Sequence, residues 1–142
     1  IDKDYSAYLL ADSLSKLYPD TCLYSSSKVL PLINMCEYEE AIKIGEDVLN
    51  KDTTLTELHY YVGHSYCILE DQIKLPTSIN FNQYKVQSKK KKEYYKKALP
   101  HLEKYRTLHP DEPEKWGNFL HDIYWSLNMG TQYEEILKLI KK

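Results

Sequence analysis

Two histidines, His64 and His121, fall at one phase of neighbouring stretches and could meet as paired metal ligands. A structural metal needs about four donors, and no Cys, Asp or Glu completes a set around them at helical spacing. The spacing therefore favours two imidazoles on a groove or surface, with no metal. Cys22, Cys36 and Cys67 offer neither an even count nor a C-x-x-C pair. They read as small buried or half-buried side chains, and nothing beside them would stabilise a thiolate. The chain has no glycine-rich phosphate loop, no H-E-x-x-H and no G-x-S-x-G, and carboxylates near helix starts are accounted for as caps. The expectation is a protein without catalytic machinery and without a cofactor.

The remaining chemistry is cationic. Lys85, Lys89, Lys90, Lys91, Lys92, Lys96 and Lys97 face only Glu93 in one short segment, although the whole chain carries a net charge of −2. With Tyr84, Tyr94 and Tyr95 this basic arm could stack bases or meet anionic lipid. Four consecutive lysines point all around a helix, however, and the rest of the chain is acidic. The pattern disfavours nucleic acid and membrane, leaving a solvated helix or a segment facing an acidic protein.

The 142 residues, 42% hydrophobic and 28% charged, suit one globular domain. No run reaches the roughly 18 apolar residues that span a bilayer. The chain opens on Ile1 instead of Met, which reads as trimming or a cut from a longer parent, so the start says nothing of a leader. Compartment stays open, with the cysteines leaning towards a reducing one such as the cytoplasm. Tyrosine, at 14, is the compositional outlier.

Residues that position this chemistry recur with a period of 34. Ala7, Ala11, Leu14 and Pro19 return as Ala41, Gly45, Val48 and Thr53. His59, Val62, Gly63 and Tyr66 are followed by Ala98, Leu102, Tyr105 and Pro110, and Trp116 opens another unit. Helices are predicted over 4–18, from a cap at Asp20 or Thr21 to Met35, over 37–50, and over 55–69 behind a Thr54-x-x-Glu57 capping box. The first should bury Tyr8, Ala11, Leu14, Leu17 and Tyr18. An insertion of 23 residues occupies about 70–94, its first half a loop through Pro76, Thr77, Ser78 and Asn80, its second half helical from Gln83 into Ala98. The last unit begins with Asp111 and Glu114 as a cap and a stripe of Trp116, Phe119, Ile123 and Leu127. Gly130 should stop that helix, with Thr131 and Glu134 capping the next. Pro31 and Pro100 fall inside predicted helices, where they kink the helix or open a fresh first turn. Gly63 stands where two helices must cross closely.

These marks follow the pattern W-x2-L-G-x2-Y, A-x3-F, P, and the chain resembles the tetratricopeptide repeat family over most of its length outside the insertion. Residues 25–35 match by phase alone. The resemblance implies an all-α, right-handed superhelix of about seven helices in stacked antiparallel pairs, a single domain with units at 5–19, 22–53, 56–110 and 113–142. It implies a protein-interaction scaffold whose concave face holds a peptide or partner helix. The family's groove positions map onto Leu23, Ser26, Leu30, Ile33 and Asn34, onto Glu57, Tyr60, His64, Cys67 and Ile68, and onto Glu114, Gly117, His121, Tyr124 and Trp125. None supplies the cations with which chaperone-binding members clamp a C-terminal carboxylate, so an apolar peptide or amphipathic helix is the expected ligand. The alternative is a structural or self-assembling fragment, since residues 4–18 form a half unit without its partner.

Overall fold

The computed structural model describes residues 2–77 and 80–141, so the expectations for Ile1 and Ser78 lie outside the described residues. Eight helices account for the fold, with no strand among the described residues: α1 (Lys3–Leu17), α2 (Cys22–Ser26), α3 (Val29–Asn34), α4 (Tyr38–Lys51), α5 (Glu57–Gln72), α6 (Phe81–Leu108), α7 (Pro113–Ser126) and α8 (Gly130–Ile140). α3 packs on α4, and each later helix packs on its predecessor. Contacts also run between α3 and α5 and between α5 and α7, whereas α1 rests on the α2–α3 pair. The core is one continuous cluster from Val29 and Leu32 through Val62, Leu102 and Tyr105 to Leu120, Ile123 and Ile136.

Small residues set the spacing of this stack. A Cβ placed on Gly45 would lie 2.5 Å from Val62 Cγ2, and one on Gly63 would lie 2.7 Å from Leu102 Cγ. α4, α5 and α6 therefore approach through two successive glycine contacts, the second where the repeat register calls for it. Ala41 and Ala98, at the matching phase of α4 and α6, are fully buried.

The count is eight because one predicted helix breaks in two. Proline at position 31 donates no hydrogen bond, and its ring conflicts with the carbonyl four residues back, that of Ser27. Ser26 and Ser27 hydroxyls donate to Leu23 O at 2.6 and 2.8 Å, giving the chain a local alternative to helix at that point. Pro31 thus sits in the first turn of α3. Pro100 is accommodated differently: α6 runs through it unbroken, and the proline is exposed. Water can then satisfy the carbonyl that lacks an N–H partner.

Several helix ends differ from expectation. Thr21 caps α2 and Asn80 caps α6, each accepting from a backbone N–H. Thr54 does not cap α5, because its hydroxyl and N–H both donate to Asp52 Oδ1 and the helix begins only at Glu57. Asp111 is likewise displaced, α7 starting with Pro113 at its first position. Gly130 does not stop α7. Asn128 takes the left-handed conformation (φ 57°), with Met129 N–H donating to Tyr124 O, and Gly130 opens α8 with Thr131 inside it. Cys36 closes α3 in the same way at φ 63°.

α1 buries only Ala11 fully. Leu17 and Tyr18, expected inside, are 71% and 56% exposed, because no helix among the described residues covers that side.

Candidate functional site

α2, α3 and the start of α5 enclose an open groove lined by Ser26, Leu30, Pro31, Leu55, Thr56, Glu57 and Tyr61. Ser26, Leu30 and Glu57 are three of the expected groove positions, drawn from two of the expected units and brought to one wall. The α2–α3 break helps, since it turns Leu30 outwards at 44% exposure while Val29 and Leu32 enter the core.

A belt of rings continues along α5. Tyr60 lies 5.6 Å from Tyr61, 5.7 Å from His64 and 5.4 Å from Tyr105, and His64 meets Phe119 of α7 edge-on at 5.2 Å. Tyr60, Tyr61, His64 and Phe119 are each half-buried, so their packed sides fix them and their free sides stay open. Burial lowers the His64 pKa, which keeps the imidazole neutral, and its Nδ1 is buried without a hydrogen-bond partner. Ile33 and Ile68 are half-buried, whereas Leu23 and Glu114 are exposed.

Other expected positions do not line the groove. Cys67 and Tyr124 are buried, Tyr124 donating to Glu103 Oε1 at 2.9 Å. Both point inwards from their helices and act in packing. Burial pushes the Cys67 thiol up to about 12, so it stays protonated. Gly117 is also buried, where a Cβ would meet Ile140 Cγ2 at 2.7 Å. Asn34 is held by Asp4 at 2.8 Å. Trp125 is 68% exposed but belongs to a separate depression with Met129 and Tyr133. His64 and His121 have different neighbours, His121 meeting Asp122 at 2.8 Å and the Tyr133 ring at 4.9 Å.

One cluster resembles a ligand set. Glu57, His109 and Glu112 offer donor atoms within 4.8 Å of one another. Lys115 Nζ lies 3.0 Å from Glu112 Oε1 and donates to Tyr105 Oη at 3.2 Å, and that phenol donates to Glu112 Oε2 at 2.8 Å. The lysine already supplies the positive charge a metal would bring, which makes the cluster a latch between α5 and the α6–α7 connection. Burial, then the bond to Glu112, pushes the Tyr105 phenol up to about 12.

A second polar network lies between α4, α5 and α6. His59 Nδ1 and His101 Nδ1 are 3.1 Å apart, His101 Nε2 is 3.4 Å from Glu46 Oε1, and Tyr66 donates to that same carboxylate oxygen at 2.6 Å. With Nε2–H of neutral His101 towards Glu46, its Nδ1 accepts and His59 Nδ1–H donates. Burial is the largest cause lowering both histidine pKa values.

Of the basic arm, Lys85, Lys89, Lys90, Lys92, Lys96 and Lys97 are exposed on α6. Lys91 turns inwards. Its Nζ pairs with the buried Glu70 at 2.8 Å and donates to Glu70 O and Ile73 O at 3.1 and 3.3 Å. Among the described residues no helix is long and apolar enough to cross a membrane. Comparison with protein-family models, curated proteins and solved structures finds no match.

Proposed function

We propose that the chain is a tetratricopeptide-like scaffold that binds an extended peptide or partner helix in the groove beside α3 and α5. The observation that carries this is the convergence of Ser26 at the end of α2, and Leu30 and Glu57, with half-buried Tyr60, Tyr61, His64 and Phe119 on contacting helices α3, α5 and α7. Half-buried rings held by packing suit binding, since they lose little entropy when covered. A wall of leucine, proline and tyrosine with one carboxylate suits an apolar ligand carrying a basic residue better than an acidic tail. The role is non-catalytic.

Selection of displayed amphipathic-helix peptides against the protein tests this. Binders should lose affinity at least about tenfold with Leu30→Asp or Tyr61→Ala, in line with loss of an anchoring contact. Undiminished binding by both variants would contradict the groove assignment.

A second role, self-assembly or docking of further repeats, draws support from α1. Tyr5, Leu9, Leu10 and Leu17 are all exposed on this one helix, a dense apolar display for a terminal element. Association that rises with concentration and disappears in Leu10→Asp/Leu17→Asp, read by light scattering, would support it; a strict monomer would remove it.

A further inference from the structure

Four of the arm's lysines share one face of α6. Lys85, Lys89, Lys92 and Lys96 follow one another at i, i+4, i+7 and i+11, all exposed, and so form one row about 16 Å long. Lys90 and Lys97 lie about 120° round the helix from that row, and Glu93, between them and the row, pairs with Lys96 at 3.3 Å. The four consecutive lysines sort themselves because Lys91 alone is drawn to Glu70 and the C-terminal carbonyls of α5. That contact also marks where α5 ends against α6, so residues 81–90 extend about 15 Å past it, accompanied by the segment through Leu75 and Pro76.

We infer that this row is a docking surface for the anionic face of a phospholipid bilayer. Three observations favour a membrane over another polyanion. The row sits on the convex ridge of a single helix, and among the described residues nothing forms a trough around it to grip a chain. A ridge makes its full contact with a plane. The cations are all lysine, compact charges suited to a diffuse anionic surface, without the arginine that phosphate-by-phosphate recognition favours. The projecting end also exposes Phe81 (72%), four residues before Lys85 on the face of the row, an apolar side chain that gains by entering a headgroup layer and would gain nothing against a hydrated polyanion. The acidic remainder of the chain opposes Lys85 and Lys89 little, because the projection that carries them exceeds the screening length of about 8 Å at physiological salt.

Co-sedimentation with vesicles of phosphatidylcholine, with or without one third phosphatidylserine, tests the inference. The protein should pellet only with the anionic vesicles and be released by raised salt. Each of Lys85→Gln, Lys89→Gln, Lys92→Gln and Lys96→Gln should weaken partition about fivefold. All four together should abolish pelleting while helicity is kept, since every one is exposed. Lys43→Gln on α4 and Leu30→Asp in the groove should leave it unchanged. Failure to pellet at low salt, pelleting that survives the quadruple variant, or preferential capture by duplex DNA or polyglutamate would overturn it.

Discussion

Gly63 is the residue on which the stacking geometry turns. An added Cβ would sit 2.7 Å from the branched Cγ of fully buried Leu102, an atom with little room to retreat. Gly63→Ala should therefore cost roughly 1–3 kcal/mol through overpacking, measured as a lowered midpoint in a denaturant melt; an unchanged midpoint would rule out the tight α5–α6 crossing. The histidines give a pH prediction. His59, His64 and His101 have pKa values lowered by burial from 6.5, so they fold neutral and the unfolded chain takes up their protons first. Their contribution is intact above about pH 6.5 and is lost as pH falls below it. Melts at pH 7.5 and 5.5 should show the protein weaker at the lower value, and His59→Gln should reduce that difference. Gly63 was legible in the sequence because a repeat period specifies where backbones cross. The His59–His101 contact was not, since it joins residues on either side of an insertion whose length hides the pairing. Local capping rules failed at Thr54, where Asp52 offered a nearer acceptor.

At the scale of elements, α6 joins the repeat to the insertion, and Lys91 secures the joint. Its ammonium meets the Glu70 carboxylate and two carbonyls at the end of α5. Lys91→Gln leaves a buried carboxylate without its cation and should cost about 3 kcal/mol. Hydrogen exchange should then quicken in the last turn of α5, and protection equal to that of the parent would refute the anchoring role. The continuity of α6 from Gln83 into Ala98 could be read from a helical run without a breaker, whereas its passage through Pro100 could not. The inward turn of Lys91 could not, because its partner is a glutamate 21 residues earlier on another helix. The break between α2 and α3 had its cause in view, Pro31, but choosing between kink and fresh start required the competing serine hydroxyls. α1 kept its predicted span and part of its buried face, Tyr8, Ala11 and Leu14 but not Leu17 and Tyr18, since periodicity reports which face is apolar and not whether a neighbour covers it.

Across the whole molecule, the period of 34 residues anticipated an all-helical chain of sequential neighbours, and the helices pack in that order with alternate contacts from α3 to α5 to α7. The groove was partly legible: Ser26, Leu30 and Glu57 meet, whereas Cys67 and Tyr124 went to the core, because those positions of α5 and α7 face the helices packed against them. Tyr61 and Phe119 join the proposed surface only through packing between units. The central claim is that this surface binds a peptide while the lysine row on α6 serves a different partner. The most direct measurement is NMR mapping of a selected amphipathic peptide titrated onto the labelled protein. Methyl resonances of Leu30 and ring resonances of Tyr61 and Phe119 should move together and saturate with one affinity, with Lys85, Lys89 and Lys92 unmoved. Shifts confined to α6 or to the outer face of α4, with Leu30 and Tyr61 silent, would contradict the account.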